Sequence, residues 1–318
     1  MRRSSFPEKE GGGIVRRGRK GFAGDVMERS YLKRALLEGL MKIVFLAAAC
    51  VSVLCVALIC VFLFANGLPA MEKIGVLNFL SGTRWKPGAD IYGIFPMILG
   101  SIYVTAGALL LGVPIALLTA IYLAFFCPKG LYRVLKPAVE LLAGIPSVVY
   151  GFFGIVVLVP AVRALGERWD GSGNAMLTAS ILLAIMILPT IIGVVEPALR
   201  AVPTSDYEGA LALGATHERS VYTAVVPAAK SGILAGIVLG VGRAMGETMA
   251  VIMVAGNQPR MPKGILQGVR TLTGNIVIEM GYAAGLHREA LIATGVVLFV
   301  FILLMNLCFS VLKRGKKA

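Results

Sequence analysis

The run Gly242-Arg243-Ala244-Met245-Gly246-Glu247-Thr248 carries a cation and an anion four residues apart inside an apolar stretch. On a continuous helix that spacing sets both groups on one face, where they can pair. Placing a charge near the middle of a membrane-length helix costs roughly 2.5–3.5 kcal/mol on insertion scales, so such a residue is by default a functional candidate. Two readings fit the residue types. Either the pair neutralises itself and holds helices together, or Arg243 faces a polar route and meets an anion there. A guanidinium with fixed, forked donors suits a tetrahedral oxyanion better than an ammonium does. In the second reading Glu247 steadies the arginine while no anion is present.

A second group lies in the loop 200–231. Ser205-Asp206-Tyr207-Glu208 has the capping-box pattern that starts a helix, and Ala210-Leu211-Ala212-Leu213 continue it as good helix formers. Gly214 supplies a stop, because glycine tolerates the left-handed conformation at a helix end. Pro227 closes the segment before the next apolar run. Other chemistry is poorly served. Gly13 to Gly18 has phosphate-loop spacing but is followed by Arg19-Lys20-Gly21 instead of Lys and a hydroxyl residue. Cys50, Cys55, Cys60, Cys127 and Cys308 have no metal-ligand spacing, and His217 and His287 fall in distant loops. The sequence predicts no cofactor, no metal and no catalytic residue.

The elements that must position these residues are membrane helices. Of 318 residues 57% are hydrophobic and 15% charged, against roughly a quarter charged in soluble domains. Six apolar runs are long enough to cross a bilayer: Ile43–Asn66, Pro96–Phe126, Val139–Val162, Ala175–Ala198, Gly232–Ala255 and Ala290–Leu312. With the N-terminus in the cytoplasm, 21 of the 31 Lys and Arg residues fall inside and 9 outside, Arg243 being within a span. The positive-inside rule therefore predicts cytoplasmic N- and C-termini. It also accounts for most of the net charge of +14 without a nucleic-acid partner. The predicted organisation is a basic flexible tail over 1–42 touching anionic lipid, a transmembrane domain over 43–312, and a basic cytoplasmic C-terminus over 313–318. The first span is too long for a cleaved signal and is expected to be retained. Glu140 and Glu196, near span ends, are expected at hydrated interfaces, and Thr271 to Tyr282 as a helix lying on or dipping into the membrane. Gly232, Gly236 and Gly240 predict a close helix contact.

The loop resembles the EAA loop of bacterial ABC-importer permeases. Glu208-Gly209-Ala210 is followed after three residues by Gly214, and nine residues later come Ala224 and Val226-Pro227. The resemblance implies a coupling helix that docks into a groove on an ATPase subunit, with Glu208, Gly209, Ala210, Gly214 and Pro227 as its marks. Further motifs are Trp85-x-Pro87, Tyr92-Gly93-Ile94-Phe95-Pro96, Gly144-Ile145-Pro146-Ser147, Gly242 through Val251, and Arg270-Thr271-Leu272-Thr273-Gly274-Asn275. With these the chain from about Leu77 onward resembles the phosphate ABC-transporter permease family, on its PstC-type side. His217-Glu218-Arg219 departs from the aromatic-containing sequence of that family.

The resemblance implies an all-α polytopic membrane protein of about six transmembrane helices, of the type I ABC-importer kind, in the bacterial inner membrane. It implies a phosphate path through Arg243 and Glu247. The implied partners are a sister permease (PstA-like), two ATP-binding subunits (PstB-like), an extracytoplasmic phosphate-binding protein (PstS-like) and the lipid membrane. ATP hydrolysis is expected on the separate subunits, so the chain itself is no enzyme. Arginine binds other oxyanions equally well, which leaves molybdate, sulfate or phosphonate open. An ATP-independent channel or carrier would need no coupling loop.

Overall fold

The computed structural model describes residues 16–166 and 172–314. Helices α1 (Arg16–Ile74) and α2 (Val76–Ser81) lead into a short hairpin of β1 (Trp85–Lys86) and β2 (Ile91–Tyr92). The strands are antiparallel, with Trp85 opposite Tyr92 and Lys86 opposite Ile91. Then follow α3 (Phe95–Ile121), α4 (Lys129–Gly144), α5 (Ser147–Phe153), α6 (Val159–Gly166), α7 (Met176–Arg200), α8 (Thr204–Ala212), α9 (His217–Ser220) and α10 (Val226–Ala228). The chain continues through α11 (Lys230–Gly246), α12 (Met249–Val254), α13 (Leu272–Glu279) and α14 (Gly285–Arg314). Helices dominate because a chain inside hydrocarbon must satisfy its backbone groups within each segment.

Among the described residues five helical stretches are long and apolar enough to cross a membrane: Leu37–Ile74, Phe95–Phe126, Ser147–Gly166, Met176–Arg200 and Gly285–Cys308. A sixth arises if His217–Ala228 and Lys230–Gly246, bent by 71° at Ala229, count as one. The expectation of an all-α protein with about six spans is met.

The chain divides into two units. The first ends at Phe62, and within it α1 exposes its large apolar side chains, Val53 at 70% and Leu46 at 66%. That exposure suits a lipid-facing helix. The chain from 16 to 42, expected as a tail with little structure, is part of α1. Residues 1–15 of the expected tail lie outside the described residues, as do 315–318 of the basic C-terminus.

The second unit, from Leu63 onward, is organised around α7. Two thirds of its most apolar window (67%) is buried, the highest share of any span. α3 packs along it with small residues on a four-residue repeat, Ala108, Gly112, Ala116 and Ala120, all buried. Four-residue spacing keeps them on one stripe, so the two backbones approach closely. A methyl at Gly112 would sit 2.9 Å from the Ile187 side chain. On the other flank α11 brings Gly236 against Val195 and Gly240 against Ile191, with added carbons only 2.7 and 2.8 Å away. The close contact predicted from Gly232, Gly236 and Gly240 is thus made, and its partner is α7.

Two predicted spans are interrupted. The run Val139–Val162 was expected as one helix, but α4 ends at Gly144 and the span begins at Ser147. Proline disfavours the helical conformation in the residue before it, and Ile145, preceding Pro146, is extended (φ −70°, ψ 127°). α4 has no buried residue, which marks it as a surface helix. The run Gly232–Ala255 is likewise broken, because α11 stops at Gly246, Glu247 is extended (φ −71°, ψ 130°) and α12 restarts at Met249.

α3 and its continuation Tyr122–Phe126 together hold 32 residues, roughly 48 Å of helix at 1.5 Å per residue. They set two ends of the unit apart. One end gathers the hairpin, α13 and the start of α14. The other gathers α8, α4 and the end of α7.

Candidate translocation and coupling sites

Arg243 lies on the last turn of α11 and is half-buried. Its Nη1 donates to Thr190 Oγ1 on α7 at 3.3 Å. Its Nε is buried without a hydrogen-bond partner. Among the described residues no ion pair joins Arg243 to a carboxylate. The pairing with Glu247 expected from their four-residue spacing is not made, because the helix that would carry both ends between them.

Glu247 is occupied elsewhere. Its Oε1 accepts the backbone N–H groups of Thr248 and Ala250, each at 3.2 Å. These are among the amides that a helix start leaves unpaired, and a carboxylate there also meets the positive end of the helix dipole. Glu247 therefore restarts the chain as α12. Thr273 of α13 donates to the main-chain carbonyl of Glu247 at 3.3 Å. A cavity of ≈ 10 Å³, about the room one water needs, lies beside it and is lined by Ser101, Thr105, Glu247, Thr271 and Thr273. The result is an arginine with an unpartnered donor just before the break and a one-water cavity at the break itself, lined by these polar groups and by apolar side chains such as Ala244, Met245 and Val251.

α8 occupies the loop expected to couple. It begins two residues earlier than the capping box implied, and its N-cap Pro203 makes no side-chain bond, so the Ser205–Glu208 box is not formed. Its other end is closed as predicted. Gly214 adopts φ +85°, its N–H bonds Leu211 O at 2.9 Å, and Ala215 N–H bonds Ala210 O at 3.1 Å. That pair of bonds is the Schellman closure. Glu208 and Gly209 are exposed, Ala210 is half-buried, and Leu213 stands out at 92% exposure. The inner face is anchored. The Tyr207 hydroxyl bonds His217 Nδ1 at 2.7 Å, and its ring stacks on Phe125. His217, the residue that departs from the family's aromatic-containing sequence, itself packs edge-on against Phe126 at 4.8 Å. Pro227 lies in α10, two residues before the 71° bend that leads into α11. α8 is thus an exposed rod held at both ends.

Two buried carboxylates went unassigned in the sequence. Glu196, expected at a hydrated interface, is only 2% exposed. It accepts hydrogen bonds from Lys136 Nζ at 2.8 Å, Tyr132 Oη at 3.1 Å and Arg200 Nε. Burial works against the charge of Lys136, but the hydrogen bond and charge of Glu196 outweigh it and hold the ammonium above its ordinary range. Glu140 is exposed, as expected, and lies 3.7 Å from Lys136. At the other end Glu279 accepts Trp85 Nε1 at 2.8 Å, meets His287 Nε2 at 2.8 Å and is bridged by Arg270 Nη1. The segment expected to dip into the membrane is α13, and it is buried within the protein through Leu272, Thr273, Gly274, Asn275 and Glu279. The one available signal was spacing: Glu196 and Arg200 stand four apart on α7.

This arrangement of apolar spans around a small-residue interface, with an exposed anchored helix between the fourth and fifth, is that of a membrane permease subunit of an ABC importer. The fold is shared with the MetNI methionine ABC transporter in inward-facing conformations (TM-score 0.52, 20% identity, 70% of this chain and 94% of that one). It is also shared with a bacterial ABC transporter involved in the import of the acidic polysaccharide alginate (TM-score 0.59, 14% identity, 93% and 99%).

The chain belongs to the family of binding-protein-dependent transport system inner membrane components, which it matches over residues 112–317. It is 36% identical over 290 residues to the probable ABC transporter permease protein YqgH of Bacillus subtilis, covering 89% of this chain and 93% of that one. It is 33% identical to the phosphate transport system permease protein PstC of Mesorhizobium japonicum (85% and 88%) and 32% identical to that of Haemophilus influenzae (90% and 93%). The chain is a multi-pass transport subunit of the inner membrane and works with a binding protein and separate ATPase subunits; it is not itself an enzyme.

Proposed function

We propose that the chain forms one half of the path of an ATP-driven importer for inorganic phosphate. A PstA-like sister permease completes the path, two PstB-like subunits drive it, and a PstS-like binding protein delivers the anion. The end bearing α8 and both termini face the cytoplasm in this reading, as the charge asymmetry of the loops supports.

The observation that carries the anion assignment is the state of Arg243. It sits between apolar helices with one hydroxyl partner, Thr190, and a buried Nε that has none. An unneutralised guanidinium in low dielectric attracts an oxyanion strongly and offers it parallel donors. Because Glu247 is committed to the amides of α12, it does not quench that charge. Glu247 instead fixes the break at which α11 ends, and so sets where Arg243 is presented. Phosphate among oxyanions is supported by the relatives named as phosphate transport permeases. Coupling runs through α8, with Glu208, Gly209, Ala210 and the turn at Gly214 docking on the ATPase and Pro227 passing the motion into α11.

The test is uptake of labelled phosphate into vesicles holding the assembled complex, with sulfate, molybdate and a phosphonate as competitors. ATP-dependent uptake that these competitors leave intact is the expected result. Uptake without ATP would indicate a carrier, and ATP-driven uptake of another oxyanion in place of phosphate would overturn the substrate.

A further inference from the structure

We propose that Glu196 is a positioning residue for transport, locking α4 to the coupling helix so that the two move as one body. The inference rests on the reading of α8 as the site of ATPase docking, and it adds a second element to what α8 moves.

The carboxylate of Glu196 is gripped from separate elements. Lys136 and Tyr132 come from α4, and Arg200 is the last residue of α7, four residues before α8 begins. Arg200 also donates through Nη2 to the carbonyl of Leu123 at 2.8 Å, and its guanidinium lies 4.9 Å over the Tyr132 ring. Leu123 belongs to the π-helical turn Tyr122–Phe126 that ends the α3 span. Two residues on, Phe125 stacks on Tyr207 of α8. The root of the coupling helix and its inner face are thereby tied to the same short segment.

α4 needs such a tie. It has no fully buried residue, and its apolar hold on the core consists of half-buried side chains such as Leu135 and Val139. At its far end the extended Ile145 and Pro146 interrupt the helix, so α4 is not continuous with the span that follows. A surface helix with a break at one end follows whichever body holds it most firmly. The strongest directional contacts within reach are those to Glu196, because charge-assisted hydrogen bonds to a buried carboxylate have good geometry and little competition from water. Removing the charge leaves α4 without that preference.

The experiment uses the assembled complex with its ATPase subunits, in a variant whose five cysteines are replaced by serine. Spin labels go on Val134 of α4 and Ser205 at the start of α8, both exposed. Distances are measured nucleotide-free and with ATP trapped, and ATP consumed per anion imported is followed in parallel. With Glu196 intact one distance distribution should persist in both nucleotide states. With Glu196→Gln it should shift by several ångström or broaden when ATP is bound, and ATP consumed per anion should rise several-fold. If Glu196→Gln does not assemble, Arg200→Lys is measured in the same way, since it keeps the charge but cannot reach both Glu196 and the Leu123 carbonyl. Distances that superimpose on the parent in both states, with an unchanged ATP ratio, would overturn the proposal. The distance measurement needs no transported anion, so a complex that imports no phosphate would sink the substrate reading while this one still stands or falls on its own result.

Discussion

Arg243 donates to Thr190 across the α11–α7 contact and leaves Glu247, four residues further along its own chain, to the amides of α12. The chain thus holds its intramembrane arginine by a neutral hydroxyl. A neutral partner steadies a guanidinium without cancelling the charge that an anion would meet. Thr190→Val removes that partner and keeps the side-chain shape. A net hydrogen bond contributes about 0.5–1.5 kcal/mol, so the KM for phosphate should rise about two- to tenfold with kcat less affected. Uptake kinetics in vesicles measure both; an unchanged KM would show that Thr190 does not orient Arg243.

Glu247 makes its bonds as an acceptor of backbone N–H groups, a role that an uncharged amide oxygen can fill in part. Glu247→Gln retains a carbonyl oxygen, whereas Glu247→Ala removes both bonds. Loss of a comparable cap costs about 0.5–2 kcal/mol, so the alanine variant should melt earlier than the glutamine variant in detergent. Equal melting of the two would mean that the capping bonds contribute nothing.

Gly214 stands at φ +85°, where a side chain costs about 1–2 kcal/mol. Gly214→Ala should therefore loosen the closure of α8 and weaken retention of the ATPase subunits. Co-purification from membranes measures it, with Gly130→Ala as the comparison, since Gly130 lies in α4, outside the docking element, and an added methyl there meets nothing within 4 Å. Equal retention in both variants would show that the turn has no part in docking.

Glu279 joins the hairpin, α13 and the start of α14 through Trp85, Arg270 and His287. Replacing it by glutamine leaves Arg270, itself only 11% exposed in its side chain, without its carboxylate. Breaking a buried pair by removing one partner costs about 3–5 kcal/mol, which should lower the melting temperature of the complex clearly. A melting curve that overlays the parent would show that the cluster is dispensable.

Much of this architecture was legible in the sequence because hydrocarbon imposes simple rules. Apolar runs of the right length marked the spans, and glycines on a four-residue repeat marked the side of α11 that meets α7. The misreadings share a cause. Hydropathy carries no information about where a helix stops, so Val139–Val162 reads as one span although Ile145, before Pro146, is extended. Glu247 was likewise placed on a helix whose end its own carboxylate helps to define. Spacing of four residues implies a shared face only while the helix continues. Glu196 and Glu279 were opaque for another reason, since their partners lie up to 194 residues away and only the fold brings Trp85 to Glu279. At α8 the helix and its glycine closure were readable, whereas the Tyr207–His217–Phe126 anchor was not.

The most direct test of the account is ATP-dependent uptake of labelled phosphate by the assembled complex carrying Arg243→Ala, beside Arg243→Lys. Alanine is expected to abolish uptake in a complex that still assembles and hydrolyses ATP. Lysine, a point charge without the planar fork, should restore only part of it. Phosphate uptake at the parent rate with alanine at 243 would contradict the assignment of Arg243 to the path.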